Sequence, residues 1–455
     1  MGYKPCDEYE RHVFGALTFN QNIDLWDVSK VTNMGVMFNR AEAFNQQLKN
    51  WDVSRVTDFR EMFQETKLFN GDISEWDTSA ALNMSAMFRD SYLFNQDIGD
   101  WEAGNVTDMS SMFAKSRAFN QDIGGWDVSK VTNFSRMFEL ALAFNQDISG
   151  WNTGLATRMD MMFQNNLIFN QDISGWNTGN VTNMVGTFNG AKAFTYNVAS
   201  WNVSKVTDFS QMFRNSIFNH SLVGWNTSAA TNMWQMFSNN QVFNSPLNDD
   251  ANNKKWDVSK VTDMTEMFQG ASVFNQPLNS WNVSAVTKFT AMFENAVLFN
   301  QPLDNWNVQA ATQMNSMFAE ARAFDQNISM WIPTAVQNYE RMFRNAVKFN
   351  QNISSWNVTA ATSMGDMFSG AVLFNQNIGA WNIINVTNMN GMFYAVTLSV
   401  ANYDALLTAW AALNVRSGVN FHGGNSRYTA GSAAATARLT TLPGKGWTIT
   451  DNGSI

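Results

Sequence analysis

Five consecutive copies of one position in this sequence carry a carboxylate, Asp27, Asp52, Asp77, Glu102 and Asp127, evenly spaced and each directly after a tryptophan; later copies carry mostly Asn. On neighbouring strands about 4.8 Å apart such groups repel one another, and a cation or a basic ligand would relieve that repulsion. The column reads equally as a solvated polar face whose carboxylates cap loops. A second set of candidates comes from breaks in a regular pattern. Thr187 replaces a methionine, Thr195-Tyr196 replaces Asn-Gln, and His220 replaces a glutamine. Trp234 stands where other copies carry mostly polar or small residues, and an inserted run begins with Asp249-Asp250. An aromatic at a normally polar position offers a flat apolar contact to a sugar or a peptide. Tyr196, His220, Trp234, Asp249 and Asp250 are therefore the candidate ligand-binding residues, with Trp234 alternatively filling a gap left by the shortened loop at 214–217.

Other chemistry has little to stand on. No Ser-His-Asp motif, phosphate-binding Gly-Lys-Ser/Thr or His-Glu-x-x-His occurs, and a repeated column supplies no unique pocket. Catalytic residues, cofactors and metal ligands are expected to be absent. The three histidines (His12, His220, His422) are scattered, and the single Cys6 excludes an internal disulfide. A net charge of −9 argues against nucleic acid. No apolar run is long enough to span a bilayer, and residues 1–20 lack the pattern of a secretory signal.

The elements that position these residues are repeats. Trp recurs at 26, 51, 76, 101, 126, 151, 176, 201, 225, 256, 281, 306, 331, 356 and 381, with one shorter step (201 to 225) and one longer step (225 to 256). Counting from that Trp, Phe always stands at plus twelve, and Met at plus eleven in all but Thr187. Position plus eight is Met, Phe or Tyr, and Phe-Asn-Gln-x-Ile/Leu precedes the Trp. These columns hold 34 of 36 Phe, 24 of 27 Met and 15 of 18 Trp, so the aromatics read as core and not as a cofactor box. So short a unit cannot bury such side chains alone, and stacking on neighbours completes the burial.

Met34, Met37, Phe38 and Ala41 follow helical spacing, with Thr32 and Asn33 as N-cap candidates, so each unit is expected to hold a short helix. Thr fills plus six in 13 of 15 units, a capping pattern; regular threonines on a flat face could alternatively bind ice or crystalline glycan. Ile23-x-x-Trp26-x-Val28 suggests a short parallel strand near the Trp. The Asn ahead of each Trp, followed by Gln, suits a ladder of stacked amides. Residues 1–18 carry no repeat and read as an N-terminal cap; residues 19–397 are the repeats, and residues 398–455, with an amphipathic helix capped by Asn402, read as a C-terminal cap.

Phe-Asn-Gln-Asp-Ile-Ser-Gly-Trp-Asn (169–177) followed by Val-Thr-Asn-Met (181–184) resembles the repeats of the BspA-like leucine-rich-repeat surface proteins. The resemblance covers about residues 19–393, and the tail from Val419 to Asp451 is similar to the closing segment of such proteins. It implies display and adhesion, and carries over no catalytic residue. The expected fold is α/β: a right-handed leucine-rich-repeat-like solenoid of about fifteen coils, one short parallel strand and one short helix per coil, with terminal caps. The expected function is non-catalytic recognition of a protein or glycan on a cell or particle surface, with a subunit of a larger surface or virion assembly as the alternative. An ice- or cation-binding array is a further reading. The expected location is the cell surface or the outside of the cell or particle.

Overall fold

The computed structural model describes residues 13–248 and 256–455. The chain divides into two compact units, Met1–Asn226 and Thr227–Ile455.

The described residues of the first unit are built into turns, not helices. In the repeat around Trp51, the amides of Val56, Met62, Gln64, Thr66 and Phe69 each donate to the carbonyl three residues back, closing a series of tight turns. The amides between them leave the repeat. Phe59, Glu61, Phe63 and Glu65 donate to Asn83, Ser85, Met87 and Arg89 of the next copy, at 2.8–2.9 Å. Alternate amides therefore serve alternate purposes, and the main chain is satisfied without a helix or an extended strand. Parallel bridges of single residues join successive repeats, as in Asn33 with Asp58 and Asp58 with Asn83.

Backbone handedness explains why the expected helix is absent. In every repeat the residues at plus ten and plus fourteen have positive φ, from 52° to 72°, as at Glu61 and Glu65. A right-handed helix cannot pass through such residues, whereas the third position of a type II turn requires them. The apolar spacing of Met34, Met37 and Phe38 comes instead from consecutive turns that bring these side chains, with Ala41, into the core. The strand expected near the Trp is likewise not there: the bridge falls at plus seven. The plus-six threonines cap no helix. Thr57 donates from its amide (2.8 Å) and its hydroxyl (3.2 Å) to the carbonyl of Thr32, and the same rung recurs at Thr107, Thr132 and Thr157.

Inside, like stacks on like. Phe63 lies 4.0 Å from Phe69 in its own repeat and 5.6 Å from Phe88 in the next, with rings within 6° of parallel. Trp51 and Trp76 stack at 6.4 Å. The buried indoles of the repeats also make a polar bond: Trp51 Nε1 donates to the Ile23 carbonyl, Trp76 to Leu48 and Trp101 to Ile73, at 2.9–3.1 Å. The amide ladder forms as its sequence suggested. Asn45 N donates to Asn20 Oδ1, and Asn70 N to Asn45 Oδ1, while Gln46 Nε2 reaches the Asn20 carbonyl. The bonding pattern starts earlier than the sequence repeat: Gly15 N donates to the Asn39 carbonyl, and Ala16 N closes a turn on the Val13 carbonyl. Residues 13–18 thus act as the last part of a preceding copy; the rest of the expected N-terminal cap lies outside the described residues.

The second unit repeats this construction from Trp256 to Trp381 and then changes. Helix α1 (Val400–Ala411) is capped by Ser399, three residues before the expected Asn402, and buries Tyr403, Leu406, Leu407 and Trp410. Strand β1 (Asn420–His422), helix α2 (Ala433–Thr436), a π-helical turn at Ala437–Thr441, helix α3 (Leu442–Gly444) and strand β2 (Thr448–Thr450) follow. β1 pairs in parallel with β2 and also carries on the repeat bridge through Met389 with Phe421. Asn402 still matters, because its Nδ2 donates to the Asn375 carbonyl, the bond a glutamine makes elsewhere, while Ser399 N donates to Asn375 Oδ1. The ladder so passes from the last repeat into the closing segment. That segment is tied by Asp451, which accepts from Tyr403 Oη (2.7 Å) and Arg438 Nε (2.6 Å), and by Lys445 Nζ, which donates to the Ala411 and Leu413 carbonyls at the end of α1.

Candidate functional site

The acidic column lies on the exposed face of the first unit, each carboxylate beside a tight turn. Asp27 Oδ1 accepts from the Ser29 amide (3.1 Å) and hydroxyl (2.7 Å), and Asp52 from the amide (3.1 Å) and hydroxyl (2.6 Å) of Ser54. Asp77 and Asp127 accept from the amides of Ser79 and Ser129, both at 3.0 Å. Glu102 is exposed like its column mates, and its carbonyl accepts from Thr78 Oγ1. Bonds from the serine two residues on hold the Asp27, Asp52 and Asp127 carboxyls below the usual carboxylate range, against a small opposing effect of burial. A second acidic column, which sequence reading missed, runs through Asp72, Asp97, Asp122, Asp147 and Asp172 and accepts from the amide two residues on in the same way. Among the described residues no group of three or more His, Cys, Asp or Glu is placed to hold a metal ion.

Tyr196 and His220 occupy one column of the first unit, on successive rungs where most other repeats carry Gln. His220 takes over the work of the glutamine: its Nε2 donates to the Thr195 carbonyl at 2.5 Å. Tyr196 is 38% exposed. Thr187 is buried, and its hydroxyl faces the Met159 and Met184 carbonyls at 3.1 and 2.9 Å, so the lost methionine is replaced by a satisfied polar group. The shortened loop closes on its own serine, with Ser216 Oγ donating to the Phe213 carbonyl.

Trp234 belongs to the second unit and is 37% exposed, its amide held by Asn232 Oδ1 at 3.0 Å. Asp249 and Asp250 lie outside the described residues. The insertion that contains them leaves a trace beside it: Trp281 Nε1 donates to Asn248 Oδ1, where its counterparts use a main-chain carbonyl.

The second unit also has a shallow polar groove of about 510 Å³ that no sequence signal had isolated. Thr312, Gln313, Gln337, Asn338, Thr362 and Ser363 line it, from the plus-six and plus-seven columns of three consecutive repeats. Thr290 and Asn315 complete the lining. The available signal was compositional: plus seven is charged at Asp58, Asp108, Arg158, Asp208, Asp263 and Lys288, and becomes uncharged from Gln313 onward.

Columns that recur at a fixed interval and bond to their own next copy define a tandem-repeat protein. Residues 8–98, 71–174, 157–254, 248–343 and 328–426 each match the family described as "Mycoplasma protein of unknown function, DUF285", and the chain belongs to that family. No curated protein matches it. No helix among the described residues is long and apolar enough to cross a membrane.

Proposed function

We propose that this protein is a non-catalytic recognition protein, its repeats winding as a right-handed solenoid of about fifteen coils that presents a long surface to a protein or glycan partner at a cell or particle surface. One observation carries the reading. The shared columns are consumed internally: past the first copy, where Trp26 is 37% exposed, their aromatics are buried, and their Asn, Gln, Thr and indole groups bond to the adjacent repeat. The departures Tyr196 and Trp234 are exposed aromatics that serve neither purpose. Large rings at the surface are effective anchors, since they bury much area for little lost freedom. Immobilised full-length chain on protein and glycan arrays should give saturable binding that Trp234→Ala or Tyr196→Ala weakens. Binding by neither array, or binding indifferent to both changes, goes against the reading.

A second reading, a subunit of a larger assembly, is favoured by one further column. The residue before the first Phe of each motif is an exposed apolar side chain at Leu68, Leu93 and Ile168 in the first unit and at Leu298 and Leu373 in the second. Such stripes mark protein contacts when they are extensive. Sedimentation of the purified chain separates the two readings: a concentration-independent monomer supports recognition, and higher assemblies support the subunit.

A further inference from the structure

We propose that the face formed by the plus-six, plus-seven and plus-nine columns of the second unit binds a neutral polysaccharide chain, with Trp234 as its stacking platform and the groove around Gln313, Gln337 and Asn338 as its hydrogen-bonding bed. The assignment rests on the recognition reading above and names its ligand class and place.

The groove contains no ionisable side chain: its lining is hydroxyl and carboxamide throughout. Charges close to it are matched by their neighbours: Lys288 pairs with Asp263 at 3.0 Å, and Glu340 lies 4.0 Å from Arg341. A charged polymer finds no unmatched counter-charge there, whereas a ligand rich in hydroxyls finds both donors and acceptors. Asn338 Oδ1 accepts from the Glu340 amide, and Asn315 Oδ1 accepts from the Thr290 hydroxyl, so neither bond uses the carboxamide NH₂ group. Gln337 is exposed in the middle of the lining.

Main-chain groups on this face are already spent. The Gln337 amide donates to the Thr312 carbonyl, the Thr362 amide to the Gln337 carbonyl, and the Tyr339 amide to the Ser363 carbonyl. A peptide adding as an extra strand needs a free edge of such groups. Side-chain amides and hydroxyls remain, the groups that read sugar hydroxyls.

Trp234 supplies the apolar half of a sugar site. It stands in the same column as Thr290 and Asn315, two repeats before Thr290, and is more than a third exposed. With rungs about 4.8 Å apart, its ring and the groove lie along one line that a chain of linked sugars can follow. The flat face of a pyranose ring packs on an indole while its hydroxyls bond to amides further along.

Electrophoresis of the full chain through native gels containing dextran, laminarin or hydroxyethyl cellulose tests this, with carboxylated alginate as the contrast. At least one neutral polymer should retard the protein, and alginate should retard it less. Trp234→Ala, and separately Gln337→Ala with Asn338→Ala, should weaken the retardation about tenfold or more. Gln337→Glu, which keeps the shape and adds a charge, should do the same, while Leu439→Ala, at an exposed side chain of the closing segment, should leave it intact. Melting profiles matching the unmodified chain verify that the variants fold. No retardation by any neutral polymer, stronger retardation by alginate, or variants that behave like the parent would overturn the assignment. A protein partner found on an array, with every gel negative, would overturn it while leaving the recognition reading in place.

Discussion

Trp151 Nε1 donates to the carbonyl of Ile123, 28 residues earlier, at 3.1 Å, although the indole around it is almost fully buried. The same bond joins Trp176 to Ile148 and Trp356 to Ile328. The tryptophan column is therefore both core and strut. Trp151→Phe keeps most of the apolar burial but strands the Ile123 carbonyl, a loss of about 1–3 kcal/mol. Urea denaturation followed by circular dichroism should show a lower midpoint for the variant. An unchanged midpoint would mean that the bond contributes nothing.

The asparagine ladder uses one atom only. Asn350 N donates to Asp325 Oδ1 at 2.9 Å, so an aspartate fills an asparagine position without breaking the run. At Asn120, whose Oδ1 receives the Asn145 amide, Asn120→Asp should accordingly cost little, whereas Asn120→Leu should cost about 1–3 kcal/mol. Equal losses from the two changes would remove the acceptor from the explanation.

Asp127 tests the acidic column. Its folded carboxyl titrates below the unfolded one because the Ser129 hydroxyl and amide favour the charged form. Its stabilising effect is therefore complete above the unfolded value of about 3.9 and disappears as the pH falls through the lower folded value. Asn152 makes the same turn without a charge, accepting from the Gly154 amide at 3.1 Å. Asp127→Asn should stay within about 0.5 kcal/mol of the parent at pH 7 and should lose less stability than the parent below pH 4. A large loss at both pH values would show that the carboxylate does more than hold a turn.

The closing segment depends on a buried charge pair. Asp451 has a side chain only 2% exposed and meets Arg438 at 2.6 Å. Arg438→Met leaves that carboxylate without its cation, at a cost of about 3–5 kcal/mol. Early exposure of Trp410 and Trp447, seen as a red shift in fluorescence on mild heating, is the expected sign. A parent-like melt would count against the pair as the fastening.

Much of this organisation could be read directly from the chain. The repeat period, the buried columns and the amide ladder follow from Phe, Trp, Asn and Gln in fixed places, because side chains in identical positions of adjacent copies must meet. The missing helix was harder. Apolar residues at Met34, Met37, Phe38 and Ala41 have helical spacing, and two consecutive turns produce the same pattern. What separates the two is the sign of φ, and most residues at plus ten and plus fourteen, such as Arg40, Glu61 and Lys115, give no hint of it. The clue was present in plus fourteen, where Asn165, Gly190, Asn215, Asn239, Gly270, Asn295, Asn345 and Gly370 favour residues that tolerate the left-handed region. The indole bonds had a subtler signal: the column never exchanges Trp for Phe, as pure burial would allow. The polar groove had none that stood out in one repeat, since it exists only where three uncharged copies adjoin.

Arg341 offers the most direct test of the stacked-turn repeat. Its side chain is exposed, its φ is 58°, and its amide donates to the Gly365 carbonyl at 2.9 Å. In a helix, Arg341→Gly would lower stability by about 1 kcal/mol. In a left-handed turn position, glycine removes a strain of about 1–2 kcal/mol and gives back part of that in chain entropy. Stacked turns therefore predict a urea midpoint for Arg341→Gly equal to or above that of the parent. A clear drop in the midpoint would contradict them.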